Sequence, residues 1–188
     1  MTAYRKPIVL ENGQLEQVQS GDGLDAGAFQ VPASMGAPSQ VLAVPATGTV
    51  LEWVDPDVAA TPLSNDNAAP IVIGAPVYMK ANGNVDLAKA DAQATADVLG
   101  LVKDASIAAA ASGNVLLDGV LTATTDQWDA VAGTTGGLTP GAVYFLSAAT
   151  AGLLTATAPS TAGQFVVRVG KALSATKLDL TLMAPIKL

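Results

Sequence analysis

The residues best placed to do chemistry in this chain of 188 residues are carboxylates, because it contains no His and no Cys. That removes Ser-His-Asp and Cys-His catalysis, the usual zinc sites and any disulfide framework. Asp22-Gly-Leu-Asp25 is the best metal candidate, since calcium prefers oxygen ligands. Its spacing does not fit an EF-hand loop and no Glu completes it, so a polar turn with Asx capping is the simpler reading. Asp55 and Asp57 flank a proline, and Asn65-Asp66-Asn67 sits among turn residues; both sets read as turns. A glycosidase would need two carboxylates facing each other across a cleft. The only Glu residues are Glu11, Glu16 and Glu52. Asp126 and Asp129 flank Trp128, an arrangement that could form a sugar platform, but a capped surface helix explains the same residues. Gly136-Gly137 lacks the phosphate-loop pattern, with no Lys suitably behind it. No reaction follows from these residues, and the chain reads as a non-enzyme without metal or cofactor.

Charge and composition narrow the remaining classes. The formal charge is −7, and the nine Lys and Arg residues are scattered. Neutralising phosphates requires clustered cations, so nucleic acid is not an expected partner. No apolar run of about 20 residues is present to span a bilayer. The opening Met1-Thr-Ala-Tyr-Arg-Lys-Pro lacks the apolar region of a signal peptide, which points to synthesis in a cytoplasm. Half of the residues are hydrophobic, mostly small ones, with only three Phe, three Tyr and two Trp. Small residues with frequent Gly and Pro favour compact strands joined by tight turns.

The elements follow from local signals. Residues 1–31 read as an arm: Pro7-Ile-Val-Leu-Glu-Asn-Gly-Gln-Leu-Glu-Gln-Val offers two short strands around the hairpin dipeptide Asn12-Gly13. A lone hairpin is marginal in water, so the arm is expected to dock, and Arg5, Ile8, Leu10, Leu15, Val18 and Phe29 are its candidate contacts. Residues 32–70 read as a Pro/Gly-rich linker containing strand Thr49-Val-Leu-Glu-Trp-Val, with Thr61 to Pro70 as loop throughout. Residues 71–188 read as a β-rich domain of two related modules, about 71–123 and 134–188. Between them Thr124-Thr-Asp-Gln127 fits a capping box, with Trp128 and Val131 facing inward and Gly133 as stop signal. The expected fold is mainly β: small β-barrel or β-sandwich modules with a short helical insert, preceded by an extended N-terminal arm.

The two modules are suggested by self-similarity. Tyr78 and Tyr144 are 66 positions apart (144 − 78), and at that offset Val77 meets Val143, Leu87 meets Leu153, and Thr95-Ala96 meets Thr161-Ala162.

Several of these stretches resemble tailed-bacteriophage virion proteins. Arg5-Lys-Pro-Ile-Val-Leu-Glu-Asn-Gly-Gln-Leu-Glu-Gln-Val-Gln-Ser-Gly-Asp-Gly-Leu resembles an N-terminal segment that recurs among them. Gly113-Asn-Val-Leu-Leu-Asp-Gly-Val-Leu, Thr134-Thr-Gly-Gly-Leu-Thr-Pro-Gly-Ala-Val-Tyr-Phe-Leu and Phe165-Val-Val-Arg-Val-Gly-Lys-Ala-Leu-Ser resemble modules of head-decoration and fibre proteins. Gly74 to Val120 is similar to the small β-barrel of lambda-type head-stabilising proteins, although this chain adds a second copy and an arm. The resemblance implies a capsid decoration, or cement, protein: a homotrimer on the virion's outer head surface, bound to the major capsid protein. The alternative it implies is a tail-fibre or head-fibre adhesin, with Trp53, Trp128, Tyr78 and Tyr144 as sugar contacts.

Overall fold

A computed structural model describes residues 8–11, 14–17, 41–43, 50–54 and 60–188. The chain divides into two units, Met1–Asp57 and Val58–Leu188. In the first unit, β1 (Ile8–Glu11) and β2 (Gln14–Gln17) pair antiparallel with Glu11 opposite Gln14. That register leaves only Asn12 and Gly13 between the strands, the loop length this dipeptide favours. A second antiparallel ribbon pairs β3 (Val41–Ala43) with β4 (Glu52–Val54).

The second unit is built from short strands and two helices. In chain order these are β5 (Ala60–Ser64), β6 (Ile71–Val72), β7 (Pro76–Met79), β8 (Val85–Leu87), α1 (Gln93–Ala96), β9 (Val98–Val102), β10 (Ser106–Ile107) and β11 (Ser112–Leu116). They continue with β12 (Gly119–Thr122), α2 (Thr125–Ala132), β13 (Val143–Leu146), β14 (Leu154–Thr155), β15 (Phe165–Val166), β16 (Arg168–Ser174), β17 (Lys177–Leu180) and β18 (Ile186–Lys187). The fold is mainly β, as the turn spacing predicts. One five-stranded sheet runs β5-β11-β9-β7-β8 and another runs β12-β17-β16-β13-β14.

Both sheets are open, so among the described residues the barrel expected from the lambda-type resemblance does not close. In the first sheet the chain just beyond β5 reaches β8 through a single bridge, Asn65 to Val85, and the ladder goes no further. The stretch Thr61 to Pro70, read as loop, begins inside the sheet: Pro62 lies opposite Asn114 in edge strand β5. An edge tolerates proline because the missing N–H can face away from the ladder. In the Ala88–Ala96 segment Ala90 and Asp91 form a turn, and only the single turn α1 is helical.

The two sheets share one topology, and their ladders correct the match made from Tyr78 and Tyr144. Val77 lies opposite Gly100 and Tyr78 opposite Val98, so Leu99 is an extra, bulged residue. Tyr144 lies opposite Gly170 and Phe145 opposite Arg168, which makes Val169 the bulge. Val77 is therefore the counterpart of Tyr144, and Tyr78 that of Phe145. Side chains alternate across a strand, so matching tyrosine to tyrosine puts every partner on the wrong face. Burial agrees with the ladders: Val77 and Tyr144 are both 0% exposed, whereas Tyr78 is only partly buried. The bulge glycines are equivalent as well. A Cβ on Gly100 would collide with the carbonyl oxygen of Leu116, and one on Gly170 with that of Asp179.

These equivalences show how the sheets stack. Val77, Val85, Val102 and Val115 occupy one face of the first sheet, packed with Ile71 and Ile107 of the β6–β10 ribbon. Their counterparts Tyr144, Leu154, Ala172 and Leu178 on the second sheet belong to a different core. That core is completed by Leu101 and Leu116, from the opposite face of the first sheet. The sheets therefore stack head to tail, the inner face of the second on the outer face of the first. Backbone bonds pin the stack: Ala90 N–H donates to the Ser147 carbonyl (3.0 Å), Gly152 N–H to Ala88 (2.8 Å) and Phe165 N–H to Ala90 (3.0 Å).

Helix α2 fills the corner of this core. Thr124 Oγ1 accepts the Gln127 N–H, and Gln127 Oε1 accepts the Thr124 N–H at 2.8 Å, forming the expected capping box. Gly133 closes the helix in the left-handed region at φ 62°. Trp128 is 0% exposed, and its ring approaches Gly74 so closely that a Cβ there would lie 3.0 Å from it.

Candidate functional site

Among the described residues, the polar groups singled out by sequence hold the fold's own loops. Asn65 is 1% exposed; its Nδ2 donates to the carbonyls of Ile107 (2.9 Å), Ala108 and Ala69, and its Oδ1 accepts the Asn67 N–H (2.7 Å). Asp66 pairs with Lys80 at 2.5 Å and accepts from Asn84 and Asn82. The Lys80 contact holds the Asp66 carboxyl below its ordinary value, and Asp66 in turn holds the Lys80 ammonium above its own. Lys89 does the same for Asp91, at 2.8 Å. These ion pairs are solvent-exposed turn clasps.

Asp129 shows most clearly how a candidate site becomes structure. Its Oδ1 accepts the Gly137 N–H and the Thr134 hydroxyl, and its Oδ2 accepts the Gly136 N–H, each at 2.8 Å. Gly136 and Gly137 both have positive φ, so successive amides converge on one anion. The Gly137 amide is the main cause holding this carboxyl below its usual range, followed by Thr134 and Gly136. The Gly-Gly turn is thus an anion nest filled by the chain's own carboxylate. Nothing in the local sequence signals this contact, which spans seven to eight positions.

The aromatic candidates divide sharply. Trp128 and Tyr144 are 0% exposed, and the Tyr144 hydroxyl accepts the Thr139 N–H at 3.0 Å. Neither ring can act as a sugar platform. Tyr78 is half-buried at the margin of the core, and the Trp53 side chain lies outside the described residues. Asp22, Asp25, Asp55 and Asp57 also lie outside, as do Arg5, Val18 and Phe29 of the arm. Of the other arm candidates, Leu10 is opposite Leu15 and Ile8 opposite Gln17 in the β1–β2 ladder. Among the described residues no group of three or more acidic side chains could share a metal ion, and no helix is long and apolar enough to cross a membrane.

Two surface features remain. A shallow open groove of about 260 Å³ runs past Ser147, Thr155, Ser160, Thr161 and Gln164, offering hydroxyls and one amide but no titratable group. The other is the outer face of the second sheet. Val120, Asp179, Lys171 and Val143 form one cross-strand row on it, and Phe145 and Arg168 lie opposite each other in another. Leu173 and Val120 are 55% and 47% exposed, beside exposed Lys171 and Lys177. At the positions where the first sheet carries buried Leu101 and Leu116, this face carries Lys171 and Asp179. Charged residues there end the stacking of sheets within the chain. Sequence reading passed over this face because its residues converge only once the strand order is known.

The sequence matches no protein-family model and no curated protein.

Proposed function

We propose that this chain is a bacteriophage capsid decoration protein, a non-enzymatic cement that binds the outer head surface through residues 1–31 and stabilises the shell. The observation that carries the reading is the division of the chain. A β1–β2 hairpin belongs to one unit, and a compact double sheet, whose described polar groups clasp its own loops, forms the other. A hairpin of eight paired residues is marginal alone and gains stability by docking. Many identical weak contacts on a repetitive shell then add through multivalency. The virion-protein resemblance of the N-terminal segment and of the Phe165–Ser174 stretch supplies the kind of partner: the major capsid protein, with self-association as a homotrimer.

The test is deletion of residues 1–31, followed by co-sedimentation with purified shells. Binding is expected to be lost while far-UV circular dichroism shows the β unit intact; unimpaired binding would exclude the anchor role. The fibre-adhesin alternative draws less support, because two of its four aromatic contacts are fully buried.

A further inference from the structure

The charge of this chain is unevenly distributed. Residues 8–57 contain seven carboxylates (Glu11, Glu16, Asp22, Asp25, Glu52, Asp55, Asp57) and neither Lys nor Arg. Residues 130–188 contain Arg168, Lys171, Lys177 and Lys187 against the single acid Asp179. Three of those four cations lie on strands β16 and β17 at the outer face of the second sheet. Among the described residues Arg168, Lys171 and Lys177 take part in no salt bridge, and Asp179, opposite Lys171, is the only acid in the rows just described, so the face keeps a net positive charge. Arg168 Nε and Thr181 Oγ1 are moreover buried without a hydrogen-bond partner. Between the cations stand the apolar side chains Val120, Phe145 and Leu173, so the face combines positive charge with hydrophobic surface.

We infer that this outer face is a self-association surface, and that its occupant is the acidic stretch Glu52-Trp-Val-Asp-Pro-Asp57 of a second copy. That stretch carries three carboxylates around Trp53 and Val54, matching three cations around apolar residues. Complementary potentials steer such an encounter and set its register, while the apolar residues supply the buried area. The stacking inside the chain is the precedent: the corresponding face of the first sheet is covered by another sheet. Because two different surfaces meet, the contact is head to tail and can close into a ring. The inference deepens the self-association part of the proposed function, and it leaves residues 1–31 free for the shell.

Sedimentation velocity of the full chain over a concentration series tests it. Between about 0.1 M and about 1 M salt the screening length falls from roughly 10 Å to roughly 3 Å, so the associated species is expected at the low end and lost at the high end. Lys171→Glu with Lys177→Glu removes association, as does Glu52→Lys with Asp55→Lys and Asp57→Lys. Mixing those two variants restores it, because the swapped charges again complement each other. Far-UV circular dichroism confirms that both variants keep the fold. Wild-type protein that is monomeric throughout overturns the inference, as does association that both variants retain. A salt-dependent change that ignores protein concentration also overturns it, since the occupant would then belong to the same chain. Shell co-sedimentation measured on the same variants keeps this outcome separate from the decoration reading.

Discussion

Leu101 and Lys171 occupy the same place in two copies of one topology, yet truncating them has very different expected costs. Each lies next to its bulge glycine, Gly100 or Gly170, and points to the outer face of its sheet. Leu101 is 0% exposed because the second sheet covers it, whereas Lys171 is exposed. Leu101→Ala removes packed methyl groups and leaves a cavity between two sheets pinned by backbone bonds, so little collapse is available. The expected loss is about 2–5 kcal/mol. For a unit of this size that is a fall in midpoint temperature of roughly 10 °C. Lys171→Ala changes an open surface and stays within about 0.5 kcal/mol of wild type. Urea unfolding of both variants, followed by far-UV circular dichroism, gives the comparison directly. A loss below about 1 kcal/mol for Leu101→Ala, or similar losses for the two variants, would refute the head-to-tail stack.

Three further outcomes follow from local geometry. Gly100→Ala and Gly170→Ala each drive a Cβ into a neighbouring carbonyl oxygen, so each is expected to cost more than about 2 kcal/mol by urea denaturation; a neutral result at either site would break the equivalence of the bulges. Ala110 holds φ 59°, a left-handed conformation that glycine adopts freely, so Ala110→Gly should stabilise by about 0.5–1 kcal/mol, and a destabilised variant would count against that backbone. Asp66, Asp91 and Asp129 all have carboxyl groups held below the ordinary 3.8. The folded state then binds fewer protons than the unfolded state as pH falls toward that value, so these contributions are present above it and disappear as pH drops through the lower folded values. The urea midpoint should therefore decline in acid, and Asp129→Asn should lower it at neutral pH and flatten the acid limb, because an amide cannot accept from all three donors. An unchanged acid limb in that variant would remove the nest from the account.

Sequence reading succeeded where the signal is local. The Thr124 capping box, the Asn12-Gly13 hairpin and the strands around Val77, Val115 and Leu178 depend on a few adjacent residues, and the structure places them as expected. It failed where identity and register compete. Tyr78 and Tyr144 look equivalent as letters, but the bulges at Leu99 and Val169 put them on opposite faces. The better signal was the glycine after each bulge, in Leu99-Gly100 and Val169-Gly170, because backbone crowding permits no side chain there. Pro62 argued for a loop because its tolerance at a sheet edge depends on a partner, β11, fifty residues further along. The inward face of α2 was legible as well: Trp128 and Val131 follow from the capping box and the helical spacing, and both are buried. The open face of Lys171 and Phe145 was illegible because it is assembled from strand order.

The decoration role is tested most directly by the copy number and position of this protein on the assembled particle, measured by quantitative mass spectrometry together with cryo-electron microscopy. The account predicts many identical copies distributed over the outer head surface, in a fixed ratio to the major capsid protein. A few copies confined to the tail would contradict it.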